Sequence, residues 1–381
     1  MKRAGQLIEA IADPGNLRLA FWKAARGKRA KPDCRAFQAD LGPNLAALRA
    51  ELLAGVARVG DYHYFTIHDP KERLICAASF RERVLHHALM NVCEPVLERA
   101  AIFDSYACRS GKGQLAAVRR AAAYAGRYGW FLKMDIRKYF DSVDHGVLRG
   151  LLRRKFKDAA VLALFDQVLA SYQTAPGRGL PIGNLTSQHF ANFYLSPLDR
   201  LVKESLRGAD QERGSERGHS CPLGLRLGAT QADKNVRAPA YVRYMDDFVV
   251  WSDSGTELRA VWQAVAAFLA AELRLELKAN VALNRTAFGM DFLGYRLYPG
   301  ELRLAPRSKV RFARKFRQYE REHLEGRWTE RQLQARMRAL VAFTLPAQCR
   351  NWRVQVMERF GVAAHRLEPG DPRRQLEQYR E

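Results

Sequence analysis

Cysteine is scarce in this sequence and never closely spaced. The six cysteines stand at 34, 76, 93, 108, 221 and 349 of 381 residues, with no CxxC pair among them. A disulfide framework needs a denser, evenly paired set, usually in a small secreted chain. We therefore expect reduced thiols and a cytoplasmic protein.

Long apolar runs are absent as well. No stretch of 18 apolar residues occurs, and the opening segment, MKRAGQLIEAIADPGN, holds too short an apolar run for a signal peptide. A membrane-spanning helix needs about 20 mainly apolar residues. We therefore expect no membrane among the partners of this chain.

Acidic residues are also in short supply. The chain has 40 Asp and Glu against 63 Lys and Arg, which gives a net charge of +23 and a pI near 10.1. Such an excess indicates an acidic partner, and a polyphosphate chain is the commonest one. Hydrophobic residues make up 48%, and this length allows two or three packed units.

The hydrophobic pattern predicts both helices and strands. We expect short helices within 1–60 that stop at Gly55, two strands in 61–80, a helix over 81–100, a strand over 129–136, a helix from about Asp144, and a loop over 177–188. The helix after that loop contains Pro197, which removes a backbone donor and predicts a bend. A polar, Gly-rich surface insertion is predicted over 207–239, and basic helices from about 301 onward. Between 307 and 381 there are 18 Lys and Arg and 9 Asp and Glu, a net of +9.

Two adjacent acids interrupt apolar strand sequence in YVRYMDDFVVW. The flanking residues favour strands and the acids favour a tight turn, so Asp246 and Asp247 are predicted at the tip of a β-hairpin. One alternative is a solvated turn, in which acids are common. Two neighbouring carboxylates in apolar surroundings stay ionised more easily if a cation neutralises them, which favours a metal site.

A third carboxylate completes that hypothesis. Asp135 ends the apolar strand of FLKMDIRKYF, so it could lie at the edge of the same sheet. Hard cations such as Mg²⁺ prefer oxygen ligands, and three carboxylates could hold two ions roughly 3.5–4 Å apart. Asp141 and Asp144 are alternatives, although Asp144 is better explained as the acid that starts a helix.

Five motifs in this order resemble a known family. FLKMDIRKYF, the GLPIGNLTSQ loop and YMDD together resemble reverse transcriptases. The fuller set is similar to the reverse transcriptases of diversity-generating retroelements, over residues 15 to 300: KERLICAASFRERVLHHAL, DSYACRSGKG, GLPIGNLTSQHFANFYLSPLD, RYMDDFVV and DFLGYRLYP.

The resemblance implies an α+β fold, that of a right-hand polymerase with fingers, palm and thumb. The palm would be an antiparallel sheet packed on helices. The implied division is an N-terminal extension and fingers over 1–128, a palm over 129–300 with fingers elements at 177–190, and a basic helical thumb over 301–381. Asp135, Asp246 and Asp247 would be the catalytic triad. With the carbonyl of Ile136, they would bind two Mg²⁺ ions, for which Mn²⁺ may substitute.

Other residues match the nucleotide-binding parts of this family. Lys71 and Arg73 are two apart on a predicted strand and share one face, suited to a triphosphate; a solvated basic edge is the alternative. Phe140 stands at the steric-gate position under the sugar, although it could simply fill the core. Lys278 could protonate the pyrophosphate leaving group, or it could be an ordinary surface lysine.

The loop 179–188 departs from the wider family. Most reverse transcriptases carry Gln where this chain has Ile182, followed here by Gly183 and then by NLTSQ. Ile cannot donate a hydrogen bond to the nascent base pair. We therefore expect Ile182, with Arg73, to affect fidelity; an ordinary apolar contact is the alternative. The resemblance implies that misincorporation falls opposite template adenines.

Further residues are implied in binding template and primer. Arg109 and Lys112 flank a Gly and could touch the template backbone, or they could be incidental charges in a turn. DFLGYR at 291–296 resembles the primer-grip hairpin. The implied template and primer residues are Arg109, Lys112, Gln188, Tyr244, Met245, Gly294 and Tyr295. Phosphate-tracking residues in the thumb would be Lys309, Arg311, Arg314, Lys315 and Arg317.

The sequence therefore predicts an RNA-directed DNA polymerase that copies a template-repeat RNA into cDNA from deoxynucleoside triphosphates. The resemblance further implies a basic, pentameric accessory variability protein as partner, in a bacterium or phage. Two alternatives stay open: another bacterial reverse transcriptase, of the group II intron, retron or phage-defence kind, and a non-catalytic RNA-binding protein that retains the fold.

Overall fold

The computed structural model describes residues 3–68, 72–211 and 239–361. Lys71 and most of the predicted insertion, residues 212–238, lie outside the described residues. The architecture is mixed α+β with antiparallel strand pairs, as predicted. The chain divides into two compact units, one formed by 1–117 with 132–283 and the other by 118–131 with 284–381.

The first unit begins with a group of short helices. They are α1 Ile8–Ile11, α2 Pro14–Ala25, α3 Pro32–Ala39 and α4 Leu41–Ala54. The side chain of Asp13 accepts a hydrogen bond from the Asn16 amide at 2.8 Å and so caps the start of α2. Gly55 ends α4 in the left-handed conformation, with φ 71°, which confirms the predicted helix stop.

A two-stranded antiparallel ribbon follows and leads into a long helix. Its strands are β1 Tyr62–His68 and β2 Glu72–Ala78, and the helix is α5 Phe80–Glu98. The ribbon exposes most of its length, whereas the apolar face of α5 is buried. Both strands and the helix were predicted. Over much of the ribbon, its side chains are thus accessible to solvent.

A four-stranded sheet lies mostly in the first unit, together with six helices. The strands run in the order β4-β5-β3-β6, with β3 Trp130–Asp135, β4 Ala240–Tyr244, β5 Asp247–Ser252 and β6 Ala282–Arg285. The helices are α7 Tyr139–Ser142, α8 His145–Arg153, α9 Ala159–Ala170, α10 Leu185–Tyr194, α11 Ser196–Gln211 and α12 Gly255–Leu273. Strands β4 and β5 are almost entirely buried, as their apolar sequences require.

Two predictions in this unit need correction. Helix α10 begins at Leu185, inside the segment that was predicted to be a loop through 188. The single bent helix predicted around Pro197 is instead two helices, which separate at Leu195. Pro197 lies in the first turn of α11, where its missing N–H has no intrahelical acceptor to lose.

The second unit joins a small sheet to a helical bundle. Its strands are β7 Met290–Phe292, β8 Tyr295–Tyr298 and β9 Glu301–Leu304, preceded by a 3₁₀ turn at Thr286–Phe288. Its long helices are α13 Pro306–Leu324, α14 Glu330–Ala342 and α15 Arg350–Phe360, while α6 Gln114–Ala125 lies across the division of the chain. The expectation of helix from 301 onward is wrong for 301–304, because the turn at Gly300 returns the chain along β8.

The bundle of the second unit has its own apolar core. Phe312, Phe316 and Val356 are buried, and Trp352 and Leu340 pack against them. The rings of Phe312 and Phe316 lie 6.1 Å apart and stack. Removing either ring would cost about 3–5 kcal/mol, as for other buried aromatic side chains.

No helix within 3–68, 72–211 and 239–361 is long and apolar enough to cross a membrane. The described cysteines, 34, 76, 93, 108 and 349, are all free thiols, as predicted.

Candidate active site

The acidic pair lies at the tip of a two-residue β-hairpin. Strands β4 and β5 pair up to Tyr244 and Asp247, which leaves Met245 and Asp246 as the turn. Met245 has φ 56°, a left-handed conformation that is uncommon for a residue other than glycine. The predicted hairpin is confirmed, and its turn holds a strained residue beside the acids.

Asp135 lies at the end of β3 opposite a short extended segment. The Lys278 amide donates to the Asp135 carbonyl, and the Arg137 amide donates to that of Glu276, each at 2.8 Å. Ile136 forms an antiparallel bridge with Leu277 between these two bonds. Asp135 and Lys278 are therefore cross-strand neighbours on one face, and Lys278 Nζ lies 2.5 Å from Asp135 Oδ2.

A second lysine faces the hairpin from β3. Lys133 Nζ lies 3.3 Å from Asp247 Oδ2, and β3 and β5 are neighbours in the sheet. The second carboxylate oxygens, Asp135 Oδ1 and Asp247 Oδ1, are buried and accept no hydrogen bond. A buried acceptor left in this state is costly unless another donor or a cation reaches it.

Burial and neighbouring charges both affect the two acids of the hairpin. Burial and then the charge of Asp135 raise the pKa of Asp246 to about 6. Burial also raises the pKa of Asp247 to about 6, against the opposing effect of Lys133. Both carboxyls are therefore harder to ionise than exposed aspartates, mainly because they are buried.

These donors fit a divalent cation in chemistry, although their geometry does not form a complete site. Carboxylate oxygens are preferred ligands of Mg²⁺, and two of them are buried without a partner. In the described part of the chain, however, no three His, Cys, Asp or Glu side chains are arranged as a metal-binding group. Binding of a metal by Asp135, Asp246, Asp247 and the Ile136 carbonyl therefore stays a prediction.

The loop 179–188, the predicted fidelity loop, is attached to the ribbon of β1 and β2. The Cys76 amide donates to the Ile182 carbonyl at 2.8 Å, and the Ala78 amide donates to Asn184 Oδ1 at 3.2 Å. Gly183 lies between them with φ 119°, and a Cβ there would meet Ile75 Cγ2 at 2.9 Å. The backbone of β2 thus fixes the conformation of Ile182 and Gly183.

The other predicted nucleotide residues are on the same unit. Arg73 lies on β2, exposed and opposite Ile67. Phe140 is half-buried in α7, and its carbonyl accepts from the Leu180 amide at 2.7 Å. This bond connects the predicted steric gate to the start of the fidelity loop. The nucleotide-binding roles of these residues remain predictions.

Arg109 is placed in the interior of the fold. Its guanidinium donates to both Glu98 oxygens, at 2.7 and 2.9 Å, and to the carbonyls of Ile102 and Ser105. Lys112 Nζ donates to the Phe103 carbonyl at 2.7 Å and lies 3.4 Å from the centroid of the Phe103 ring. These contacts favour a structural role for both residues over the predicted template contact.

The remaining template and primer residues differ in exposure. Gln188 is exposed on α10, whereas Tyr244 and Met245 are half-buried at the hairpin. In the second unit, Tyr295 is buried, and its hydroxyl donates to the Phe343 carbonyl at 2.6 Å. A Cβ on Gly294 would meet Phe343 at 2.9 Å. Gly294 and Tyr295 therefore anchor β8 to the end of α14.

Sequence reasoning missed three charged residues around the hairpin: Lys133, Asp199 and Arg243. Arg243 is fully buried and forms an ion pair with Asp199 at 2.6 Å. The signal was available, because each residue interrupts an otherwise apolar strand or helix face. A charge in such a place requires a partner when buried.

Comparison with known proteins decides the family. Residues 68–297 match the family model described as reverse transcriptase (RNA-dependent DNA polymerase). The chain belongs to the reverse transcriptase family. This match confirms the predicted enzyme class, an RNA-directed DNA polymerase. The matched segment also contains Asp135, Asp246, Asp247, Ile182 and Lys278, whose roles stay predictions.

Relatives of this reverse transcriptase include bacterial proteins. Protein YkfC of Escherichia coli is 26% identical over 302 residues, which cover 72% of this chain and 78% of YkfC. The group II intron-encoded protein LtrA of Lactococcus lactis is 24% identical over 265 residues, which cover 59% of this chain and 44% of LtrA. The chain thus spans less than half the length of LtrA. A solved telomerase from Candida albicans covers 70% of this chain and 51% of its own, with 11% identity and a TM-score of 0.47.

Proposed function

We propose that this chain is the reverse transcriptase of a diversity-generating retroelement. It copies a template-repeat RNA into cDNA and misincorporates opposite template adenines. The observation that carries the proposal is the fidelity loop, in which Ile182 replaces the Gln of most reverse transcriptases and NLTSQ follows Gly183. Its backbone is attached to β2 through Cys76, so the apolar side chain of Ile182 is presented from a fixed main chain.

The three carboxylates and two lysines suggest how the reaction is supported. Asp135, Asp246 and Asp247 would hold two Mg²⁺ ions, with Mn²⁺ as a substitute; the ions supply Lewis-acid activation and charge neutralisation. A primer 3′-hydroxyl attacks the α-phosphate of a deoxynucleoside triphosphate, and pyrophosphate leaves. Lys278, whose Nζ lies 2.5 Å from Asp135 Oδ2, would donate a proton to that leaving group.

The proposed substrates follow from charge and family. A chain with a net charge of +23 suits an RNA template and a growing cDNA. Arg73 and Phe140 would bind the triphosphate and sugar, while Gln188, Tyr244 and Met245 would lie along template or primer. Fingers, palm and thumb are the proposed functional division of the chain. A basic pentameric accessory protein is the proposed partner of this cytoplasmic, bacterial or phage-encoded enzyme.

The experiment that tests the proposal is cDNA synthesis on a defined RNA of mixed sequence, followed by sequencing of the products. We expect Mg²⁺-dependent cDNA whose errors concentrate at template adenines. Ile182→Gln should lower the error frequency at adenine and leave the other template bases little changed. An equal error frequency in both proteins would remove Ile182 from the explanation.

One other function has an observation in its favour. The similarity to LtrA, a group II intron-encoded protein, favours an intron-type reverse transcriptase. That enzyme would give cDNA without excess errors at adenine, so the same sequencing experiment separates the two. Asp246→Ala serves as the catalytic control and should abolish cDNA synthesis. A wild-type chain that binds RNA but makes no cDNA would instead indicate a non-catalytic RNA-binding protein.

A further inference from the structure

Arg243 is a buried charge directly beneath the acidic turn. It lies on β4, two residues before Met245, and its side chain has no exposed surface. Its Nε and Nη2 each donate to one oxygen of Asp199 at 2.6 Å. Its Nη1 donates to Asn192 Oδ1 at 2.9 Å and to the Met245 carbonyl at 3.0 Å. The forked guanidinium thus connects α11 and α10 to the turn.

The remaining bonds of Arg243 attach it to another segment. Its Nη2 also contacts Ser105 Oγ at 3.1 Å. Its main-chain amide donates to the Asp104 carbonyl at 2.9 Å, and its carbonyl accepts from the Tyr106 amide at 3.0 Å. The main chain of residues 104–106 therefore lies alongside β4. Side chain and main chain of Arg243 are both fully bonded.

Stability alone is a weak explanation for this buried ion pair. Two buried charges lose their hydration, and apolar residues of similar size often replace such a pair without loss of stability. The turn, in contrast, needs contacts that maintain its conformation, because Met245 is held at φ 56°. Such conformations cost of order 1–3 kcal/mol and persist only where surrounding contacts maintain them. Arg243 supplies such a contact at the Met245 carbonyl.

We infer that Arg243 is a positioning residue, which fixes the Met245 peptide and thereby the orientation of Asp246 and Asp247. Asp199 holds the guanidinium in register from α11, and the Tyr241 hydroxyl donates to the same carboxylate at 2.9 Å. The inference rests on the proposed catalytic function of the two aspartates. It goes beyond that function by assigning their geometry to a buried network outside the carboxylate cluster.

Two variants of the full chain test the inference. Arg243→Lys keeps the charge but cannot bond Asp199 through a fork and reach the Met245 carbonyl together. The double variant Arg243→Met with Asp199→Leu removes both charges and leaves neither unpaired. We expect the double variant to fold with a similar thermal midpoint. In both variants kcat should fall on the order of 10²-fold, since small displacements of reacting groups have effects of that size, while KM for deoxynucleotide changes less than threefold.

Metal binding gives a readout that is independent of turnover. We expect the affinity for Mn²⁺, measured by paramagnetic resonance without RNA or nucleotide, to fall at least tenfold in both variants. Lys203→Met is the matched control: it removes the partner of Asp104, 2.7 Å away, beside the same segment. That control should keep both kcat and Mn²⁺ affinity.

Each outcome decides the inference. Wild-type kcat and Mn²⁺ affinity in the double variant would overturn it, as would equal losses in Lys203→Met. Failure of the double variant to fold would also overturn the inference, because the Arg243–Asp199 pair would then be required for the stability of the fold. Absence of RNA-directed synthesis in the wild-type chain would instead remove the proposed function, while the Mn²⁺ measurement could still be read.

Discussion

At the scale of single residues, Asp246 shows how the site opposes the stability of the fold. Its pKa is raised to about 6, first by burial and next by the charge of Asp135. Between about pH 4 and pH 6, the Asp246 carboxyl is therefore largely protonated in the folded chain and largely ionised in the unfolded chain. By linkage, stability that is present at low pH is lost as pH rises from about 4 to about 6.

This sign gives a prediction for Asp246→Asn. In metal-free buffer at pH 7, the variant should be more stable than the wild type by about 1–2 kcal/mol, a value reduced for partial exposure. The gain should vanish near pH 4. Urea unfolding across that range in the presence of EDTA measures it. Asp40→Asn, at an exposed position, is the control; a gain that is the same at every pH would contradict the explanation.

The residue scale also shows what sequence could predict. Asp135, Asp246 and Asp247 were predicted as site residues because acids end or interrupt apolar strands. Lys133, which pairs with Asp247, and Arg243, which pairs with Asp199, also interrupt apolar strands, but their partners could not be predicted because strand register rather than sequence spacing brings the charges together. In the same way, the charges of Arg109 and Lys112 predicted a nucleic-acid contact, but their positions relative to Glu98 and Phe103 gave them internal partners.

At the scale of elements, the conformation of the predicted fidelity loop depends on β2. Gly183 approaches the ribbon so closely that an added Cβ would meet Ile75 at 2.9 Å and the Cys76 carbonyl at 3.2 Å. Its φ of 119° lies outside the range that other residues adopt readily. The loop therefore holds Ile182 only while the residue at 183 lacks a side chain.

We predict that Gly183→Ala lowers cDNA synthesis at least tenfold and raises KM for deoxynucleotide. The change should also cost about 1–3 kcal/mol of stability, as strained backbone conformations do. Gly177→Ala is a matched control, since Gly177 also has positive φ, 70°, but nothing within 4 Å of an added Cβ. Equal effects of the two substitutions on KM would show that the contact with β2 is unimportant.

Element boundaries were predicted well where local signals decide them and poorly where pairing decides them. Gly55 and the side chain of Asp144, which accepts from the Val147 amide at 3.0 Å, mark helix ends through their own chemistry. Strand β9 was missed because ELRL becomes a strand only by pairing with β8. The start of α10 was missed because Asn184 serves β2 as well as the helix.

At the scale of the whole molecule, Lys and Arg residues are concentrated on particular elements. Helix α13 alone carries seven Lys and Arg and two Glu, and its apolar residues Phe312 and Phe316 face the core of the second unit. Most of its basic side chains are thus directed to the outside of that unit. Charges that replace counterions along nucleic acid make binding depend steeply on salt.

We predict that changing Arg307, Arg314 and Arg321 of α13 to Gln weakens binding to a primed RNA template. The slope of log K against log salt should become shallower by about 2–3, since each lost phosphate contact removes about 0.7–0.9. Changing Arg18, Arg35 and Arg49 to Gln makes the same net charge change on exposed positions of the N-terminal helices. If only the α13 variant alters the slope, phosphate contacts made by α13 rather than overall charge govern binding. If both variants alter the slope equally, net charge alone accounts for the affinity, and the thumb assignment of α13 is wrong.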